Sequence, residues 1–598
     1  MILHPFAGNF RIPISSPPGR PGRLPRQALA ACLLDTQARR AAIAAITVAP
    51  RAAELAFIPY DYHEGVTRRP GPTYDAGMTR RGEEGAAPDR VVLTGGPLGL
   101  AEVVAVARRR VPVELGEEGR KGMAGARDVV ERAVAEGRRV YGVSTGFGLL
   151  ANTVVDPADL EELQRRIVLS HATATGDPLD VEVVRGMQLL RARTLTQGYS
   201  GVRPVVVDAL VALLAAGVTP VIPEHGSVGA SGDLAQLAHL ALPLLGEGEV
   251  LVDGRRLPAA EGLRLAGLEP LRLSFKEGLS LVNGTEGMLA LACLAIADAE
   301  ALAAMADVAC AMSIEGLLGT DRPFQARLHE LRPHPGQVTS AANLRTMLAG
   351  SPILASHRHS DHAIQDAYSL RCAPQVHGAC RDVVAFARQV VERELGSVTD
   401  NPVVFASSDE VVSVGNFHGQ PLAFVLDFLA IALAELADIS ERRVDRLLDP
   451  ALNHDLPPFL ARDPGLNSGL MLTQYTAAAL VADNKVLAHP ASVDSIPTSG
   501  NQEDHVSMGW TAGLKLRRVT ANVRRALAIE ALCAAQAIDL RTPLRPGKAV
   551  AAVLERVREQ VPVLDDDRYL APDLAAVERL VAGGTLVAAA EEVAGPLR

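Results

Sequence analysis

The chain has 598 residues, 48% of them apolar and 21% charged, with a formal net charge of −10. That balance supports a large soluble core and argues against a nucleic-acid surface, since no basic stripe is interleaved with aromatics. Aromatic residues make up only 4% while alanine, leucine and valine abound, which favours helix over strand.

Residues 1–88 differ from the rest. They carry Pro/Gly/Arg clusters such as SSPPGRPGRLPR around one Ala-rich stretch near 27–57, and read as a poorly ordered extension with at most one helix. A transit peptide, or a start site placed too far upstream of Met78, would explain such a segment equally well. From Val91 the pattern becomes continuous and helical. Asp156-Pro157 predicts an N-cap with proline at the first helical position, ahead of an amphipathic run over 160–169. A second helix is expected over 183–196, stopped by Gly198. Long Ala/Leu-rich helices follow over 286–312, 420–448, 469–488 and 511–538, predicting a mostly α-helical bundle. The stretch 288–312 is interrupted by Asp298, Glu300 and Asp307, where a membrane helix needs about 20 residues with few or no charges; it reads as a buried core helix, and no membrane association is expected. The cysteines Cys32, Cys293, Cys310, Cys372, Cys380 and Cys533 show no CxxC spacing, which points to reduced thiols in a cytoplasmic protein.

Three Gly-rich loops do not look like ordinary connectors: YGVSTGFG (141–148), EHGSVGASGD (224–233) and PTSGNQEDHVSMG (497–509). The second could be a phosphate-cradling nest, but no Walker lysine and no GxGxxG after a strand accompany it. It could also be a plain tight turn; that would leave the other two loops unexplained. His357, His359 and His362, with Asp361, lack the HExxH face geometry and read as a solvated surface cluster, so no metal is expected. LRRVTANVRRAL (516–527) reads as a salt-bridged helix face.

Taken in order, these loops resemble the histidine and aromatic amino-acid ammonia-lyases, and the resemblance covers most of the chain from Val91. It implies a mainly α fold, a long-helix bundle of the fumarase/aspartase-like ammonia-lyase type with a smaller N-terminal α/β part. The catalytic unit would be 89–598, divided into 89–200 with the Tyr loop and 201–598 with the bundle. In that family Ala-Ser-Gly cyclises into 4-methylidene-imidazol-5-one, here Ala230-Ser231-Gly232, with no external cofactor. The residue types suit the chemistry: Gly232 has no side chain to block attack of its nitrogen on the Ala230 carbonyl carbon, and Ser231 offers a β-hydroxyl that can leave. Covalent capture of the substrate divides a hard deamination into easier steps.

The same resemblance implies Tyr141 as the base for the β-proton, and Asn283 of KEGLSLVNGT as a partner of ring and substrate. IQDAYSLRCAPQ matches a helical segment in which Gln365, Tyr368 and Arg371, at i, i+3 and i+6, share one broad face. Tyr368 and Gln365 would orient the reacting groups, and Arg371 would grip the substrate carboxylate. Phe417 of GNFHGQP would line the pocket, and GNQEDHVSMG would contribute Gln502 and Glu503. The pair Ser170-His171 resembles the histidine-type selectivity pair. His171 and Glu503 could hydrogen-bond imidazole nitrogens, which a phenyl ring would leave unpaired.

Gln236, Glu286, Ala367 and Ser144 depart from the family's usual residues. The expected activity is conversion of L-histidine to trans-urocanate and ammonia, by a homotetramer whose sites combine residues of several subunits. The alternatives are a tyrosine or phenylalanine lyase or aminomutase, and a non-catalytic helical scaffold that kept the fold.

Overall fold

The computed structural model describes residues 88–360 and 362–598; the extension expected at the N-terminus falls, up to residue 87, outside the described residues, as does Asp361. The expected small α/β part is present near the start. Strands Val91–Leu93 and Val113–Leu115 pair in parallel, joined by the crossover helix α1 (Leu100–Arg109). Asp156 caps the next turn by accepting from the Ala158 amide at 2.9 Å, and α2 (Leu160–His171) follows directly. α3 (Val181–Thr196) is buried along nearly its whole length, and α4 (Leu234–Ala241) starts immediately after the second Gly-rich loop.

The bundle is built from α5 (Glu286–Gly316), α6 (Tyr368–Arg371), α7 (Ala373–Glu394), α8 (Gln420–Leu448), α9 (Met471–Leu487) and α10 (Gly509–Leu540). α10 packs most extensively on α8 and next on α5. Among the described residues, α5 is the one helix long and apolar enough to cross a membrane by length and composition, yet the fold buries it in the core. Its acids are matched rather than exposed to an apolar medium. Asp307 accepts from His377 at 2.8 Å and Arg381 at 2.7 Å, and Glu315 from the Gly547 amide at 2.9 Å.

One local expectation needs correcting. Gln365, Tyr368 and Arg371 do not share a helix face, because α6 begins only at Tyr368 and Gln365 lies in a bend before it. Asp366 accepts the Thr320 amide at 2.9 Å through its side chain and Arg371 Nε at 2.9 Å through its carbonyl. These bonds hold the segment in a turn that the 3.6-residue period cannot anticipate.

Candidate active site

The Ala230-Ser231-Gly232 triplet lies between strand Pro223–His225 and α4, in a turn drawn tight by its own hydrogen bonds. Ser231 has φ 51° and Gly232 φ 82°. A Cβ on Gly232 would stand 1.9 Å from the Gly284 carbonyl oxygen, and one on Gly229 2.1 Å from Ser507 Oγ, so only glycine fits either place. The Gly284 amide donates to the Ser231 carbonyl at 3.2 Å, and the Asp233 amide donates back to the Gly284 carbonyl at 2.8 Å. Ser227 Oγ donates to the Gly232 carbonyl at 3.2 Å. Ring closure between residues 230 and 232 needs a tight turn and a Gly232 without side chain, both present here, so the residues present fit that prosthetic group.

Asp233, next in sequence, is fully buried at the start of α5, where the Met288 amide donates to Oδ2 at 2.8 Å. Burial pushes its carboxyl up to about 8, so it carries its proton near neutral pH.

Tyr141 sits in a turn whose carbonyl at Gly142 accepts from Gln164 Nε2 at 3.1 Å; Gln164 Oε1 in turn accepts the Leu279 amide at 3.1 Å. Ser144, one of the unusual residues, closes this loop by accepting the Val140 amide at 2.9 Å and donating to the Arg138 carbonyl at 2.8 Å. The Tyr141 hydroxyl oxygen accepts the Gly148 amide at 3.1 Å, and Phe147 meets the ring edge-on at 6.4 Å. Burial raises the phenol above its ordinary pKa. The Gly148 amide opposes this, and the Glu503 carboxylate adds to it.

His171 ends α2, with Nδ1 3.0 Å from Ser170 Oγ. Burial lowers its pKa, so the imidazole is neutral near pH 7, while the Ile167 carbonyl and Glu503 pull the other way. The negative charge of Glu503 favours the protonated form of both Tyr141 and His171. Its carboxylate accepts from Thr498 Oγ1 at 2.8 Å. The neighbouring Ser499 hydroxyl accepts the Leu149 amide at 3.3 Å, docking the 497–509 loop onto the Tyr loop. No sequence pattern singled out Ser499 or Gln164; Asp233 was legible only as the triplet's neighbour. Gln502 is exposed on the same loop.

Asn283 is buried beside the triplet, and its Nδ2 donates to the Asn401 carbonyl at 2.8 Å. Phe417 is half-buried in the turn before Gly419, where a Cβ would come within 3.2 Å of Ser507 Oγ, the atom that also abuts Gly229.

Gln365, Tyr368 and Arg371 are placed elsewhere. Gln365, Asp366 and Arg371 line a cavity of about 370 Å³ with Thr320 and Arg322. The Arg371 guanidinium lies 4.6 Å from the centre of the Tyr368 ring, and Tyr368 is 71% exposed. Among the described residues no hydrogen bond or ion pair joins these three to Ser231, Tyr141, His171 or Asn283. The cavity opens just past the C-terminal end of α5, at Thr320, whereas Asp233 beside the triplet meets Met288 in the first turn of α5, so the two sets of side chains lie at opposite ends of that helix. Rings of His357 and His362 approach at 5.1 Å, and no group of three or more potential metal ligands occurs among the described residues.

Comparison with known proteins identifies relatives over most of the chain. The chain is 54% identical over 503 residues to the histidine ammonia-lyase of Symbiobacterium thermophilum, spanning 84% of this chain and 99% of that protein. It is 53% identical over 506 residues to that of Anaeromyxobacter dehalogenans, spanning 83% and 99%. Among solved structures, histidine ammonia-lyase from Trypanosoma cruzi matches with a TM-score of 0.78 at 42% identity, over 84% of this chain and 95% of that one. Tyrosine aminomutase from Streptomyces globisporus matches with a TM-score of 0.80 at 39% identity, over 85% and 100%. A family model described as aromatic amino acid lyase matches residues 98–559, and the chain belongs to that family.

Proposed function

We propose that this protein is a carbon–nitrogen lyase that deaminates L-histidine without oxidation, releasing trans-urocanate and ammonia. The observation that carries the substrate choice is 54% identity to a histidine ammonia-lyase over 84% of the chain, supported by the docking of the Glu503 loop on the Tyr141 loop through Ser499 and Leu149. Two polar groups placed to meet imidazole nitrogens would be left unpaired by phenylalanine, which disfavours it strongly.

The 4-methylidene-imidazol-5-one formed from Ala230-Ser231-Gly232 supplies an electrophilic carbon that no ordinary side chain offers. The chain's own residues do the rest. The Gly284 amide, already donating to the Ser231 carbonyl at 3.2 Å, is placed to stabilise negative charge on that oxygen. Tyr141 takes the β-proton in its phenolate form, which the Gly148 amide favours by donating to its oxygen. Asn283 holds the ring and substrate, Phe417 walls the pocket, and His171 with Glu503 reads the imidazole. Arg371 pairs with the substrate carboxylate, while Tyr368 and Gln365 orient the reacting groups.

These last three reach the ring only from another copy, so the working form we propose is a homotetramer with shared sites. Its support is the separation of the two sets within one chain and the full exposure of Ile364 beside Gln365. The proposed catalytic unit is 89–598, and the free thiols among the described residues accord with a cytoplasmic setting.

The test is turnover of L-histidine, L-tyrosine and L-phenylalanine by purified protein and by Ser231→Ala. Histidine turnover that is nearly abolished in the variant supports the reading. Strong tyrosine turnover with none of histidine overturns the substrate, and full activity of Ser231→Ala overturns the chemistry.

A further inference from the structure

Arg191 on α3 and Glu286 at the start of α5 form an ion pair at 3.2 Å, with side chains 0% and 1% exposed. A fully buried guanidinium is costly, and this one is incompletely matched: its Nε and Nη2 find no acceptor among the described residues. What it does hold is Asn283, whose carbonyl oxygen accepts from the same Nη1. The pair also presses on the next residue. A Cβ on Gly284 would lie 2.1 Å from Glu286 Oε2 and 2.6 Å from Arg191 Nη1. Glu286 is itself fixed from the far side, where Thr399 Oγ1 donates to Oε1 at 3.1 Å.

Asn283-Gly284 is the segment that frames the ring triplet. Its Gly284 amide bonds the Ser231 carbonyl, and its Gly284 carbonyl both accepts the Asp233 amide and blocks any side chain at position 232. We propose that the buried Arg191–Glu286 pair is a positioning element that holds the Asn283-Gly284 peptide against Ser231-Gly232 and thereby sets how fast the triplet cyclises. The inference rests on the ring chemistry proposed above. The step it governs is an attack of the Gly232 nitrogen on the Ala230 carbonyl carbon with loss of one water, followed by loss of a second water from Ser231. Neither step changes oxidation state overall or needs a co-reactant. Both need residues 230–232 held in the compressed turn, and a rigid neighbouring peptide supplies that constraint.

The experiment is cell-free synthesis of the full chain, sampled over time, with the mass of the peptide spanning Ser231 as readout. Arg191→Met removes the guanidinium; Thr399→Val removes the hydroxyl that fixes Glu286 while nearly conserving volume. Gln188→Leu is the control: a buried residue one turn earlier on α3 whose side chain has no partner among the described residues. With helical content retained, loss of the two waters is expected to slow roughly tenfold in Arg191→Met, as for a lost charge-assisted hydrogen bond, and several-fold in Thr399→Val. The Gln188→Leu control should match the wild type. Equal rates for Arg191→Met and wild type overturn the inference, as does equal slowing by Gln188→Leu. If Arg191→Met does not fold, the Thr399→Val rate decides in the same way. An intact serine in the wild type would instead overturn the ring chemistry itself, a distinct result.

Discussion

The Gly284 amide donates to the Ser231 carbonyl at 3.2 Å, while the Gly284 carbonyl oxygen lies where a Cβ on Gly232 would be, 1.9 Å away. One residue, through the two peptide groups that flank its Cα, therefore polarises the Ser231 carbonyl and dictates the glycine that follows it. The two loops are far apart in sequence, and α5, 31 residues long and mostly buried, starts just after the second of them, so the triplet's turn is braced against a core helix.

Gly232→Ala should abolish ring formation. The added methyl meets a backbone oxygen that cannot retreat, at a φ of 82° that already disfavours it. Activity should fall at least roughly a hundredfold, about 2.7 kcal/mol of barrier. The Ser231 peptide should keep both waters by mass.

The pH profile should show an alkaline-rising limb. Burial and Glu503 raise the Tyr141 phenol, so the phenolate proposed as base is scarce near neutrality and grows as pH rises. Removing the negative charge in Glu503→Gln lowers that pKa, and the limb should move to lower pH. The midpoint of kcat/KM against pH is the measurement, since the height will also fall if Glu503 binds substrate. A limb that stays put or moves to higher pH contradicts the shared locality of these two residues.

His171→Phe should exchange polar recognition for an apolar wall. Loss of one buried hydrogen-bonding group should reduce kcat/KM for histidine by roughly a hundredfold, with the ratio of phenylalanine to histidine turnover rising. Parallel assays on the two amino acids decide it; an unchanged ratio removes His171 from recognition.

Arg443 and Glu530 should be the costliest pair to split. Glu530 is fully buried and accepts from Arg443 Nη2 at 2.8 Å and from Ser313 and Ser440, each at 2.7 Å. Arg443→Met leaves an unpaired buried carboxylate, and a loss of about 3–5 kcal/mol is expected, read as a lowered denaturation midpoint. Arg443 Nη1 also donates to the Ser369 carbonyl at 3.2 Å, within the helix that carries Tyr368 and Arg371. If the variant is active, KM for histidine should rise more than kcat falls.

Much of this was legible in the chain itself. The expected helix over 183–196 is Val181–Thr196, that over 420–448 is Gln420–Leu448, and that over 511–538 is Gly509–Leu540. Apolar patterning suffices there because Gln420–Leu448 buries one face along its length and Val181–Thr196 is buried on nearly every side. The segment carrying Gln365 failed the same treatment because Asp366 hydrogen bonds, not periodicity, shape it. The metal-free reading of the histidine cluster rested on spacing alone, and Asp361 within it lies outside the described residues.

The sequence by itself determined the helical class and the three Gly-rich loops, since these depend on local pattern, and through its resemblance to a family it singled out Ala230-Ser231-Gly232 as the candidate triplet. Tertiary structure alone decided that the Glu503 loop docks on the Tyr141 loop, that buried Arg191 pairs with Glu286 and bonds the Asn283 carbonyl, and that Arg371 lines a cavity with Thr320. The reason is physical. Burial, hydrogen-bond geometry and pKa direction depend on contacts between residues distant in sequence, and local periodicity carries no record of them.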